Sequence, residues 1–208
     1  MQFLDRADAA RQLAKALSPY ADQHPLVLGV PRGGVPIAAI VAQALGGDLD
    51  VVLVRKLRSP YDEELAIGAV DESGNTYLLP DARLADIESA YIERERAVQL
   101  ETLRRRRAHL TPGRRSTRAQ GRVVIVVDDG VATGASMHAA LQAVRRQAPE
   151  RLICAIPVAP REAVRELAHD ADEVICLQVP LHFDAVGSFY RTFSQVGDDE
   201  VLAWLRDA

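Results

Sequence analysis

A chain of 208 residues, 48% of them hydrophobic and with a formal net charge of −4, is long enough to bury one substantial core, which favours a single domain over residues 1–208 and a single site. No apolar run reaches membrane-spanning length, and the opening MQFLDRADAARQL, acidic within its first turns, resembles neither a signal peptide nor an anchor. Cys154 and Cys176 sit inside the apolar runs LICAIPV and EVICLQV, where they read as small buried thiols and not as a disulfide framework or a zinc set; a cytoplasmic, reducing location is expected.

Along the chain, DRADAARQLAKALSPY predicts an amphipathic opening helix. Short β-type runs then alternate with helical stretches. The strand candidates are PLVLGVP, LDVVLVRKL, AIGAV, RVVIVVDD, RLICAIPVA and DEVICLQVP; the helices are GGVPIAAIVAQAL, GASMHAALQAVRRQA and REAVRELAHDA, whose apolar residues recur every three or four positions. This alternation predicts an α/β fold built on a doubly wound, mainly parallel sheet. Two segments break the rhythm. Within residues 81–120, ARLADIESAYIERERAVQLETLRRRRAHL is a long, highly charged helix ending near Thr111–Pro112–Gly113, and it reads as a helical insertion, either a lid or an oligomer contact such as that of a homodimer. Its high charge and poor apolar stripe predict little burial. From Arg94 to Arg122 there are ten arginines against only Glu95 and Glu101, but no interleaved aromatics, so the run reads as a solvated face and no nucleic-acid partner is expected. The tail, residues 180–208, carries three of the four phenylalanines and the only tryptophan, ends in a short helix, and is expected to cap the ligand edge of the sheet.

The strongest chemical signal is RVVIVVDDGVATGASM, residues 122–137. Val123 to Val127 suit a strand covered on both faces, and ligands of open α/β sheets bind beyond the carboxyl ends of such strands, where Asp128 and Asp129 fall. The small residues that follow let backbone N–H groups approach an anion closely; Thr133 and Ser136 add hydroxyls, and a helix starting near Gly134 aims its positive end at the same place. Two carboxylates beside an anion cradle repel a lone phosphate unless hydroxyls or a metal occupy them. A sugar phosphate meets both demands. GVPRGGVPIAA, residues 29–39, is a second strand-to-helix turn, and it is neither a G-x-G-x-x-G dinucleotide loop nor a GK[ST] P-loop. In VLVRKL, Arg55 and Lys56 interrupt an apolar strand, and Lys56 is one of only two lysines in the chain.

The strand, the acidic pair and the ATGAS-type loop together resemble the signature of type I phosphoribosyltransferases, enzymes that use 5-phosphoribosyl-1-pyrophosphate (PRPP). The resemblance implies that Asp128 and Asp129 bond the ribose hydroxyls, that Ala132, Thr133, Gly134, Ala135 and Ser136 hold the 5′-phosphate, and that Arg32, Gly33, Gly34 and Lys56 meet pyrophosphate. It also implies magnesium as cofactor and PRPP with a small-molecule acceptor as partners. RKL…ELAIGAV and the FSQV tail are similar to bacterial phosphoribosyltransferase-domain proteins whose substrates are not generally assigned.

One departure bears on the acceptor. Where 6-oxopurine enzymes of the family carry a third loop acid, this chain has Ala132, which argues against hypoxanthine or guanine. Histidines 24, 109, 138, 169 and 182 are scattered, and none is assigned as a catalyst. Two function classes remain: an enzyme transferring phosphoribose with release of pyrophosphate, and a PRPP-binding regulatory or interaction protein without catalysis. The pyrophosphate turn and Lys56 favour the enzyme, because a sensor of ribose phosphate needs no leaving-group site.

Overall fold

The computed structural model describes residues 2–62, 65–78, 87–114 and 116–206. Its main sheet contains β1 (Leu26–Gly29), β2 (Asp48–Val51), β6 (Val123–Val127), β7 (Arg151–Val158) and β8 (Glu173–Gln178), all parallel, in the order β2-β1-β6-β7-β8. Alternate residues of one strand face opposite sides. Val123, Ile125 and Val127 of β6 join a core with α1 (Arg6–Ala16) and α2 (Gly34–Leu45), while Val124 and Val126 join a core with α4 (Ala135–Arg145) and α5 (Arg161–Leu167). Helices on both faces explain why β6 is apolar without interruption. Burying such valines stabilises the fold by about 1.5–3 kcal/mol each before entropy is counted. The doubly wound architecture is therefore as expected.

The run LDVVLVRKL departs from its expected form as one strand of that sheet. It splits after Val51, and β3 (Val54–Arg58) leaves to pair antiparallel with β4 (Ala66–Asp71), itself antiparallel to β5 (Thr76–Leu78). Polar Arg55, Lys56 and Arg58 around buried Leu57 suit this second sheet, which is only partly covered. AIGAV, β4, accordingly lies outside the parallel sheet.

The charged helix, α3, spans Ser89–Leu110 with Thr111 as its C-terminal cap, close to the expected end; residues 82–86 of the predicted helix lie outside the described residues. It is more firmly docked than its sequence suggests. Leu103 and Leu110 are buried in the core, and Arg107 reaches Asp50 at 2.7 Å, Glu72 at 2.5 Å and the Val51 carbonyl at 2.8 Å. Burial works against the Arg107 charge, but Glu72 and Asp50 outweigh it and hold its pKa above the ordinary arginine value. The other oxygen of Asp50 accepts from the Thr117 N–H at 2.7 Å. The network ties α3 to the end of β2.

Candidate functional site

From β1 the chain winds outward to β2, and β6, on the other side of β1, leads outward to β7 and β8. The order thus reverses between β1 and β6, and a crevice opens beyond their carboxyl ends, the usual ligand position in open α/β sheets. Gly29 pairs in register with Val127, so the turn Pro31–Gly34 after β1 faces Asp128 and Asp129 after β6. The peptide joining Pro31 and Arg32 is cis.

Glycine is required where the two loops touch. A β-carbon on Gly33 would overlap the Asp129 carboxylate, and one on Gly34 would stand 2.5 Å from the Val127 carbonyl oxygen and 2.9 Å from Asp128 Cα. The Arg32 side chain, by contrast, is exposed and makes no hydrogen bond or ion pair with a described residue.

The acidic pair is held from several directions. Asp128 accepts from the Asp129 N–H at 2.8 Å through Oδ1. Burial, aided by the neighbouring Asp129 charge, raises the Asp128 pKa well above the usual carboxylate range. The Asp129 pKa is also raised by burial, against the opposing pull of Arg6, whose Nε and Nη2 meet Asp129 Oδ2 at 2.8 and 2.7 Å. Arg6 opens α1, whose first turn is fixed by reciprocal bonds: Asp5 accepts from the Asp8 N–H at 2.8 Å, and Asp8 accepts from the Leu4 N–H at 3.0 Å.

The tail completes this side. Phe3, Leu4 and Gln2 exchange hydrogen bonds with residues 188–192, Tyr190 donates its hydroxyl to the Asp129 carbonyl at 2.5 Å, and Gly130 leaves space for Val186. Arg6 Nη1 donates to the Ser194 carbonyl at 2.7 Å, and its guanidinium lies over the Phe193 ring, 4.0 Å from the centroid. An open cleft of about 450 Å³ is lined by Arg6, Arg32, Gly33 and Asp129 together with Val186, Phe193, Ser194 and Gln195 of the tail.

Beyond the acids, Val131 is anchored by its N–H to the Val158 carbonyl at 3.0 Å, and Gly134 takes φ +80°, a left-handed value that suits glycine. The N–H groups of Ala132, Thr133, Gly134, Ala135 and Ser136 have no acceptor among the described residues. All but Gly134 belong to exposed residues, at the start of α4. His138, one turn on, is held by Asp170 at 2.6 Å. Such a row of unpaired donors suits an anion.

The expected residues thus fall into two groups. Asp128, Asp129, Gly33, Gly34, Arg32 and the loop 132–136 gather at the switch point. Lys56 lies on β3 of the second sheet, opposite Ala69, exposed and outside the lining of the cleft. Arg6 and Tyr190 carried no signal in the sequence, where Arg6 is one charge of an ordinary amphipathic helix and Tyr190 belongs to a tail expected to cap the sheet; Phe193 opens the FSQV run that carried the family resemblance, but nothing in it assigned the residue to the site. Burial raises both thiols, Cys176 to about 11 and Cys154 further, so neither supplies a thiolate at neutral pH. Among the described residues no group of three or more His, Cys, Asp or Glu side chains is arranged to hold a metal, and Asp129 is committed to Arg6.

A family model described as the phosphoribosyl transferase domain matches residues 2–193. The crystal structure of TT1426 from Thermus thermophilus has 48% sequence identity and a TM-score of 0.89, over 100% of this chain and 99% of that one. Two Mycobacterium tuberculosis proteins, one from each of two strains and both provisionally named phosphoribosyl transferases, are each 44% identical over 204 residues, 98% of this chain and 46% of theirs. The chain therefore spans about half the length of these curated relatives. Among the described residues no helix is long and apolar enough to cross a membrane.

Proposed function

The chain belongs to the phosphoribosyl transferase domain family, and from that premise we propose that it moves the 5-phosphoribosyl group of PRPP to a nitrogenous base or another small nucleophile. In this reaction the bond from the anomeric carbon to the pyrophosphate oxygen breaks, a bond to the acceptor nitrogen forms, and pyrophosphate leaves with the electron pair. The proton of the acceptor N–H passes to solvent or to the departing pyrophosphate.

The observation that carries this reading is the meeting, at one switch point, of two partly buried carboxylates with a row of unpaired backbone donors. Asp128 has a raised pKa and a single N–H donor, so it needs either a proton or hydroxyl partners. Ribose hydroxyls supply such partners. The amides of residues 132–136, with the Thr133 and Ser136 hydroxyls, suit the 5′-phosphate, and Arg32 with the Gly33–Gly34 turn suits pyrophosphate. Lys56 is proposed for the same anion, approached from the second sheet. The two carboxylates also provide negative charge beside the cationic ribosyl centre that forms as pyrophosphate departs. Catalysis then consists of positioning and charge stabilisation and needs no protein nucleophile.

Magnesium is part of the proposal as an ion that neutralises pyrophosphate. The described acids do not form a cage for it, so PRPP oxygens and water would supply its ligands. A reducing cytoplasm, where PRPP and free thiols coexist, is the proposed location. The deciding experiment is a panel of bases incubated with PRPP and magnesium and read by pyrophosphate release. Base-dependent release supports the transferase. Saturable PRPP binding without release from any acceptor supports a binding protein instead.

A further inference from the structure

Arg6 is part of neither phosphate-binding segment, yet it forms the wall of the same cleft. Its guanidinium has five N–H donors, of which Nε, one on Nη1 and one on Nη2 are used by Asp129 and Ser194. One N–H on each terminal nitrogen is left over. Both contacts to Asp129 go to Oδ2 alone, so Arg6 itself makes no claim on Asp129 Oδ1. The side chain is 13% exposed and is held at one face by Phe193, an arrangement that fixes direction more than it needs to for a surface ion pair. Arg32 lines the same cleft, and its side chain has no partner among the described residues. Arg6 and Arg32 thus bring two guanidinium groups to one cleft, and that of Arg32 is not neutralised by a described carboxylate.

We propose that Arg6, delivered by the N-terminal segment, is a second pyrophosphate-binding residue that bridges the ribose-holding Asp129 and the leaving anion beside Arg32. This rests on the proposed phosphoribosyl transfer. Arg6 is bound to Asp129 and oriented by the tail, so the same contact couples the ribose subsite to the leaving-group subsite. The N-terminal residues 2–6, zipped to residues 188–194, are thereby part of the site and not merely of its scaffold.

The test is calorimetric titration of the wild type, Arg6→Gln and Tyr190→Phe with magnesium pyrophosphate and, separately, with ribose 5-phosphate. Arg6→Gln should weaken pyrophosphate about tenfold or more, the usual cost of a lost charge-assisted contact, and should weaken ribose 5-phosphate by much less. Tyr190→Phe loosens the same tail without removing charge and should leave the ratio of the two affinities unchanged. Equal losses for both ligands in Arg6→Gln, an unchanged pyrophosphate affinity, or the same ratio change in Tyr190→Phe would each overturn the assignment. If Arg6→Gln fails to fold, Arg6→Lys, which keeps the charge but not the fork, should show a smaller loss confined to pyrophosphate; a loss shared by ribose 5-phosphate overturns the proposal. A wild type that binds ribose 5-phosphate but not pyrophosphate removes this inference alone. A wild type that binds neither removes the phosphoribosyl reading and this inference with it.

Discussion

Gly34 lies against Val127 so closely that a β-carbon at residue 34 would stand 2.5 Å from the Val127 carbonyl oxygen. Contact with a backbone oxygen at the end of β6 cannot be relieved by a side-chain rotation. Replacing glycine by alanine near a helix start ordinarily gains stability, by up to about 1 kcal/mol. Here overpacking, about 1–3 kcal/mol, is expected to win. Gly34→Ala should therefore be destabilised in urea and should bind ribose 5-phosphate more weakly, because the turn must move off the acidic pair. An alanine variant as stable and as competent as the wild type would show that the two loops need not touch.

The acidic pair predicts a ligand-dependent gain in thermal stability. PRPP with magnesium at a hundredfold its dissociation constant should add about 2.7 kcal/mol to the folded state. Asp128→Asn combined with Asp129→Asn should abolish most of that gain. Calorimetry giving the double variant an unchanged PRPP affinity would remove the ribose assignment.

Subsite assignments are separable by comparing two ligands. Thr133→Val should weaken both PRPP and ribose 5-phosphate, since both carry the 5′-phosphate. Arg32→Ala and Lys56→Ala should weaken PRPP by about tenfold to hundredfold and ribose 5-phosphate far less. Arg32 is expected to matter more, because it lines the cleft while Lys56 stands on β3. Lys56→Ala with unaltered PRPP binding would free Lys56 from the site and leave Arg32 in it.

The parallel core was legible because its strands are apolar on both faces and its helices are periodic, as in Val123–Val127 followed by the helix from Ala135. Both loops at the switch point were legible too, since anion binding by backbone needs small residues in a local run. The division after Val51 was not, because Val52 and Leu53 continue the apolar run through the junction and only the polar residues beyond them mark a second sheet. Arg6 was invisible for another reason. It lies 123 residues from Asp129, and no local pattern records a contact made by the fold alone. The docking of α3 was hidden likewise, since Arg107 sits in a run of four arginines and only the structure distinguishes it from its neighbours.

That distinction predicts unequal effects within the run. Arg107→Met should destabilise the protein by about 3–5 kcal/mol, since it strands Asp50 and Glu72 in a partly buried place. The remaining N–H donors to Asp50, from Val51 and Thr117, favour the lower end. Arg105→Met, on an exposed pair with Glu101, should change stability by less than about 1 kcal/mol. Urea denaturation measures both. Hydrogen exchange should show residues 103–110 well protected in the wild type and released in Arg107→Met; equal behaviour of the two variants would mean that the buried network does not hold α3.

Asp128 gives the last prediction, in which function and stability oppose each other. Burial raises its folded pKa above the unfolded value of about 3.9, so the folded state binds the proton more tightly than the unfolded chain does. A group shifted this way contributes its stability fully below the unfolded pKa and loses it as pH rises through the folded pKa. Above the unfolded pKa the raised Asp128 is thus a burden on the unliganded protein. Asparagine keeps the Oδ1 acceptor for the Asp129 N–H and places an amide where the second carboxylate oxygen stood, beside the Asp129 charge. Asp128→Asn should therefore be more stable than the wild type at pH 7–8 by about 0.5–2 kcal/mol, the usual scale of a single stabilising substitution. The advantage should shrink as pH falls toward the unfolded value of about 3.9, where the unfolded chain takes up the proton as well. Ribose 5-phosphate should reverse the ranking at neutral pH, because its hydroxyls satisfy the carboxylate and stabilise only the wild type strongly. Denaturation midpoints measured across pH with and without the ligand test both halves. A variant less stable than the unliganded wild type at pH 8, or one stabilised equally by ribose 5-phosphate, would show that Asp128 serves the fold and not the ligand.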